Sequence, residues 1–436
     1  MKQRTMGWVT VFLLFLVYGI NYLDRVALSL TAPLIQKDLG IDAAQMGIVF
    51  SSFFVGYALF NFIGGLASDR LGPKLVYILA VGLWSIFCGL TAVAVGFASL
   101  LVLRVLFGMA EGPLCAGANK MVNNWMPHDI AASAMGLLSA GSPLGGAIAG
   151  PVIGLLAISF GWRPAFWIIC AIGLVWAFVW MFVVADRPAR SRLVTSLDAV
   201  TEPTARAHGT TAATAVTRGA RDAASLPLLA WLRQPLIIAA AVAFFSYNYV
   251  LFFFLSWFPS YLVQAHHLNI KQMSLATVVP WLVGTVGLAV GGVISDMIFR
   301  WTGKLMLSRK IVLVTCLMAT GICVGIAGSV RTAADAVALM SVALFLLYVT
   351  GALYWAIVQD VVHPDKVGSV SGCMHCVGSL SGVIGPAVTG FLVQRSGAFS
   401  TAFMLAGGVA LAGAILSGIF IRDPRPNTDV RGNVYS

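Results

Sequence analysis

Long apolar stretches alternate with short polar ones along almost the whole chain. Stretches of spanning length fall near 8–33, 44–67, 75–96, 99–121, 131–156, 165–185, 236–262, 273–296, 311–329, 335–357, 367–392 and 398–421. About 20 apolar residues at 1.5 Å rise each cross a bilayer, so the pattern predicts twelve transmembrane helices. The first stretch is too long for a cleavable signal peptide, contains a charged pair and lacks a small-residue cleavage site. The rhythm breaks once. Residues 186–233 are rich in Ala, Thr and Arg and have no apolar run until Leu226, which reads as a flexible cytoplasmic linker. The predicted organisation is a six-helix bundle over 1–185, the linker, a second bundle over 234–422 and a cytoplasmic tail over 423–436. The linker's last residues, 226–233, suit a short interfacial helix leading into the seventh span.

The two halves echo each other. Asn21-Tyr22 recurs as Asn248-Tyr249, and Gly64-Gly65-Leu-Ala-Ser-Asp69 as Gly291-Gly292-Val-Ile-Ser-Asp296, both 227 residues later. Gly150-Pro151 and Gly385-Pro386 end corresponding glycine-rich spans. Repeats at a near-constant offset point to duplication, and two like halves around a midplane site are the architecture of secondary transporters. The fold expectation is an all-α integral membrane protein: twelve helices in two pseudo-symmetric six-helix bundles around a central cavity.

Composition agrees: 59% of the 436 residues are hydrophobic and 10% charged, against about 25% charged in soluble proteins. The net charge of +11 does not call for nucleic acid. With the N-terminus inside, cytoplasmic segments carry 20 of the 27 Lys and Arg and outer loops five, the bias that orients membrane proteins with both termini in the cytoplasm. All seven cysteines fall inside spans, as small packing residues do. Cys373-Met-His375-Cys376 has a metal-ligand spacing, but with no second ligand pair no metal site is expected. No phosphate loop or nucleophile–base pair of recognisable spacing points to an enzyme.

The polar residues inside spans carry the functional reading. Asp24, Arg25, Arg104 and Glu111 lie in spans one and four of the same half. A charge at mid-membrane costs about 2.5–3.5 kcal/mol on insertion scales and marks function. Arg104 and Glu111 are nearly two turns apart and share a helix face, whereas Asp24 and Arg25 point about 100° apart. An arginine binds a carboxylate through two charge-assisted hydrogen bonds, and Asp24 or Glu111 would compete for it. Protonating that acid would free the arginine for an organic anion, which couples protons to the solute.

The segment Gly65-Leu-Ala-Ser-Asp69-Arg70-Leu-Gly72-Pro-Lys74 resembles the loop between spans two and three of the major facilitator superfamily. The resemblance implies the fold expected above and gives this loop the role of a cytoplasmic latch, with Gly72 in a tight turn and Asp69 and Arg70 able to meet the other half when the inner gate shuts. More narrowly, Asn21-Tyr22-Leu-Asp24-Arg25, Arg104-Val-Leu-Phe-Gly108-Met-Ala-Glu111-Gly112 and Trp257-Phe-Pro259-Ser-Tyr261-Leu resemble the anion:cation symporter family, which includes galactonate, glucarate, hexuronate and tartrate transporters. That resemblance implies proton coupling at Asp24 and Glu111, substrate binding or pairing with those acids at Arg25 and Arg104, and substrate-contacting tyrosines at Tyr22 and Tyr57. Asn248 in span seven and Ser142 in span five are further candidates. Where sugar-acid members often have two asparagines in span eleven, this chain has His375 and Ser379. The departure suggests fewer hydroxyls on the ligand, or an aromatic or short dicarboxylic acid. His375 is expected to bind a second carboxylate or pass a proton. Most of Trp257, Trp281, Tyr348, Tyr354, Trp355, Phe244 and Phe245 are expected to face lipid or the interface.

The expected function is import of a small organic anion, a sugar acid or related mono- or dicarboxylate, with protons and no cofactor, by a monomer in a bacterial-type inner membrane. The competing expectation is a proton-linked exporter of drugs or metabolites, based on Gly141-Ser-Pro143-Leu-Gly145-Gly146. Two buried arginines would suit a cationic drug poorly.

Overall fold

A computed structural model describes residues 3–191 and 227–421. The central part of the expected linker and the tail lie outside the described residues, as does the side chain of Asp69. Twelve helices among the described residues are long and apolar enough to span a membrane: α1 (Gln3–Leu39), α2 (Ala43–Ser68), α3 (Pro73–Val93), α4 (Phe97–Trp125), α5 (Ser133–Phe160), α6 (Trp162–Val183), α7 (Pro235–Gln264), α8 (Ile270–Thr302), α9 (Leu305–Ala327), α10 (Ala333–Val361), α11 (Lys366–Ser396) and α12 (Ser400–Phe420). There is no strand among the described residues. In a bilayer each backbone N–H and C=O must find its partner within the segment, and a helix does this.

Helix ends run past the apolar stretches by several residues, because polar flanks such as Gln3–Arg4 and Gln36–Lys37 continue the helix to the headgroup region. A short helix at Leu228–Leu232 precedes α7 and packs against α11 with Trp231 buried. Odd-numbered helices run away from the face that holds Gln3, and even-numbered ones return, so residues 191, 227 and 421 lie on that same face.

The internal repeat has a packing counterpart. Helix α2 lies on α4 in the first half and α8 on α10 in the second. Lipid tails are as apolar as leucine, so helices associate through backbone proximity at small residues. A Cβ at Gly108 of α4 would collide with the Phe53 carbonyl oxygen of α2, and one at Gly287 of α8 with the Phe345 carbonyl oxygen of α10. Both α4 and α10 are interrupted. The first breaks at Gly112-Pro113, between segments Phe97–Glu111 and Leu114–Trp125, and the second between Val349 and Leu353. The Thr350 hydroxyl meets the Leu347 carbonyl and the Tyr354 hydroxyl there.

The halves meet from mid-span to the face opposite Gln3. Gly47 of α2 sits so close to α11 that a Cβ would be 2.6 Å from the Pro386 carbonyl oxygen and 3.1 Å from Gly390 Cα. The Ala387 N–H donates to Ser51 Oγ at 3.0 Å, and the Ala43 N–H to Gln394 Oε1 at 3.2 Å. Phe50 meets Trp257 edge-on, and Phe54 meets Phe252 at 4.2 Å between centroids. Toward the Gln3 face, ties such as the Lys74 N–H to Asp186 and the Asn124 amide to the Asp186 carbonyl run within the first half. The face opposite Gln3 is closed by these contacts.

Two outcomes follow from this packing. Gly108→Ala lowers thermal stability in detergent by about 1–3 kcal/mol, the cost of overpacking, read as an earlier unfolding transition of the purified protein. Gly47→Leu wedges the closed face apart, so a cysteine placed at Ser51 reacts faster with a membrane-impermeant maleimide than in the parent.

Candidate functional site

Successive residues of α1 point about 100° apart, and this divides the Asp24–Arg25 pair between two surroundings. Arg25 reaches α4, where its Nη2 donates to Glu111 Oε2 at 2.5 Å. Its side chain keeps 9% of its surface exposed and that of Glu111 none. The guanidinium also lies over three rings: Phe53 at 4.8 Å, Tyr57 at 5.2 Å and Tyr22 at 5.4 Å to the centroids. A desolvated cation over an aromatic face gains up to about 2 kcal/mol, so this charge is held by one carboxylate and three π-faces. Glu111 sits at the end of the first α4 segment, immediately before the Gly112-Pro113 break. Discontinuous spans are where transporters place such groups.

Asp24 turns into the first half instead. It is fully buried, and neither carboxylate oxygen has a hydrogen-bond partner among the described residues. Its electrostatic neighbours are Glu111, the Trp84 indole of α3 and Arg104. Arg104 is 3% exposed, lies over the Phe107 ring at 4.9 Å, and has Nε and Nη2 without partners among the described residues. Both arginines line one small cavity between the halves, with Phe53 and Phe54 of α2 and Leu255 and Ser256 of α7. The structure thus decides what spacing left open: the acid paired to an arginine is Glu111, the arginine it holds is Arg25, and Arg104 lines the cavity with no carboxylate in hydrogen-bond contact among the described residues.

The other candidates scatter more widely. Tyr57 is buried beside Arg25, its hydroxyl 3.9 Å from Cys115 Sγ. Tyr22 is half-buried at the seam, edge-on to Trp281 of α8 at 5.8 Å. Asn248 Nδ2 donates to the Phe244 carbonyl of its own helix at 2.8 Å. Ser379 does likewise toward the His375 carbonyl at 2.9 Å. His375 is half-buried, ringed by Phe244 and Trp355 at 6.2 and 6.1 Å, and its Nε2 has no partner among the described residues. Ser142 is half-buried in α5, away from the residues that line the cavity. Among the described residues no group of three His, Cys, Asp or Glu is placed to hold a metal ion.

One expectation is overturned. Trp257, Trp281, Tyr348, Tyr354 and Phe244 do not face lipid; all are buried, Trp257 and Tyr354 completely, and Phe245 and Trp355 are half-buried. Aromatic belts present their rings to the headgroup levels, whereas these rings pack against one another and, through Trp281 and Trp257, against α1 and α2. Sequence reasoning also passed over Asn21, which adjoins Glu111, and Trp84. The Asn21-Tyr22 repeat was the available signal for the first, and an indole in an apolar run carries none.

The sequence profile of the Major Facilitator Superfamily matches residues 14–386 and, in a second match, 301–433. The chain belongs to the major facilitator superfamily. It is similar to a hexuronate transporter of Bacillus subtilis, 48% identical over 415 residues covering 94% of each chain. A probable sulfoacetate transporter of Cupriavidus necator is 33% identical, with 92% of this chain and 91% of that one covered. Among solved structures, a D-xylose–proton symporter superposes with a TM-score of 0.74 over 95% of this chain and 98% of that one, at 14% identity. A bacterial homologue of the human lysosomal transporter Spinster does so with a TM-score of 0.73 over 95% of each, at 17% identity. At such identities the two structures speak for the fold alone.

In this superfamily transporter the loop after α2 has a partner that sequence reasoning did not anticipate. Gly72 adopts φ +87°, a left-handed conformation that glycine takes without strain, and Gly65 packs on Ala116. The Lys74 N–H, at the start of α3, donates to Asp186 Oδ1 at 2.9 Å. Asn124 and Trp125 of α4 donate to the Asp186 and Ala185 carbonyls at 2.8 Å. The exit from α6 is therefore tied to the loop within the same half, and Arg70 is exposed.

Removing one partner of a buried ion pair costs about 3–5 kcal/mol because the other charge is left uncompensated. Glu111→Ala is expected to lower stability by that amount, and the Arg25→Met/Glu111→Ala double variant to recover part of it. A double-mutant cycle on detergent unfolding midpoints checks this.

Proposed function

We infer that this transporter carries a small organic anion with a carboxylate, of the hexuronate sugar-acid class, into the cell together with protons. The observation that carries this reading is the pair of buried arginines on one cavity between the halves, of which only Arg25 is held by an acid. A carboxylate entering the cavity takes two charge-assisted hydrogen bonds from Arg104. A proton on Glu111 then releases Arg25 to a second contact, and Asp24, buried beside Arg104, is the second proton site. Neutralising these acids as the anion binds lets the loaded centre rock between faces without carrying unpaired charge through the low-dielectric core.

Relatives named for hexuronate and sulfoacetate transport support a carboxylate as the shared feature, since both solutes have one. In this reading the protein works as a monomer in a cytoplasmic membrane with both termini inside, as the excess of Lys and Arg on one face implies.

Uptake of labelled D-glucuronate into proteoliposomes under an imposed inward proton gradient tests the proposal. Arg104→Ala is expected to cut uptake on the order of a hundredfold, equivalent to about 2.7 kcal/mol. Asp24→Asn and Glu111→Gln are expected to lose accumulation while retaining exchange of internal for external solute. Wild-type accumulation by all three variants, or uptake indifferent to the gradient, would overturn it.

A further inference from the structure

The cavity that holds both arginines has unequal walls. Both guanidiniums and three phenyl rings come from the first half, whereas the second half lines it with Leu255 and Ser256 of α7. Ring contacts hold Ser256 at this seam. Phe252, one turn earlier on the same helix face, packs on Phe54 of α2 at 4.2 Å between centroids, and Trp257 meets Phe50 edge-on at 5.5 Å. These contacts set the rotation of α7 against α2, so the serine reaches the cavity on a rigid helix.

Ser256 is 1% exposed, yet its hydroxyl has no hydrogen-bond partner among the described residues. A helical serine can always satisfy itself on the carbonyl four residues back. Ser246, Ser341 and Ser417 do so at 3.0, 2.7 and 2.7 Å. A buried hydroxyl without a bond is costly, and this one borders a cavity with two cations. Guanidiniums only donate, so they answer a carboxylate but take nothing from a ligand's hydroxyl, whereas a serine hydroxyl both donates and accepts. Of the side chains that line the cavity, Ser256 is the one able to accept. A ligand also shifts a conformational equilibrium only through contacts that differ between the states. An anion held by the arginines alone touches one half, and a contact on α7 gives the other half a share of the binding.

We propose that Ser256 is the second half's ligand contact, accepting from a hydroxyl of the bound anion while the carboxylate sits on Arg104. The substrate class narrows to hydroxy acids with a hydroxyl close to the carboxylate, because the serine and the arginine share one small cavity. This rests on the anion reading above and adds the group that reads the hydroxyl.

A cycle that removes the hydroxyl from the protein, the ligand or both tests this in proteoliposomes. Unlabelled D-glucuronate and 4-deoxy-D-glucuronate, which lacks the ring hydroxyl nearest the carboxylate, compete against labelled D-glucuronate. On the wild-type protein the deoxy acid is expected to compete about tenfold more weakly. On Ser256→Ala the two acids should compete within about twofold of each other, with kcat/KM for D-glucuronate down about tenfold. Ser256→Thr, which keeps a hydroxyl, should restore the gap. The ligand-free melting temperature of Ser256→Ala in detergent should not fall, because the hydroxyl removed had no partner. A wild-type protein that takes both acids equally, or a gap that persists in Ser256→Ala, overturns the assignment and leaves anion transport standing. So does an inactive Ser256→Ala with a lowered melting temperature, the mark of a serine that only supports packing. If wild-type protein takes up no D-glucuronate at all, the anion reading fails first.

Discussion

Four charges buried in one half of a membrane protein set the terms for everything else in this molecule. Lipid offers no water to an ion, so each guanidinium and carboxylate must be answered by the protein. Arg25 is answered by Glu111 and three aromatic faces. Arg104 and Asp24 are buried as neighbours with hydrogen-bonding capacity to spare. A paired arginine and a free one on the same cavity give an anion a place to bind and a reason for that binding to depend on protonation.

Holding those charges in register requires helices that approach more closely than side chains usually allow. The break at Gly112-Pro113 puts Glu111 at a discontinuity of α4, and the contact of Gly108 with Phe53 draws α2 against α4, so Phe53 and Tyr57 come under the Arg25 guanidinium. The equivalent contact between α8 and α10 lies in the second half, where the corresponding space is occupied by rings instead of charges. One duplicated packing scheme thus supports two unlike interiors, one ionic and one aromatic.

The closed face depends on the same chemistry of small residues. Pro386 has no N–H, and around it the Ala387 N–H reaches Ser51 across the seam while the Pro386 carbonyl accepts from the Trp257 indole at 3.0 Å. Hydrogen bonds of this kind are individually worth about 1 kcal/mol, and a seam built from a few of them beside glycine contacts can part and close again.

Much of this was legible without coordinates. Twelve spans, their pairing into halves and the four buried charges follow from hydropathy and from the 227-residue repeat, because a bilayer forces apolar length and internal hydrogen bonding on any chain that crosses it. Which acid holds which arginine was not legible, since Asp24 and Glu111 both remain candidates until the rotation of α1 against α4 is known. Nor was the destination of the aromatic residues: in an apolar run a ring facing lipid and a ring facing a partner helix look alike. Asn248 and Ser379 each give one hydrogen bond to their own helix, a use of the side chain that spacing alone does not reveal. Membrane insertion acts on each segment by itself and leaves its mark in the sequence; the choice of neighbour arises only when the helices rotate against one another, and that was decided by tertiary packing.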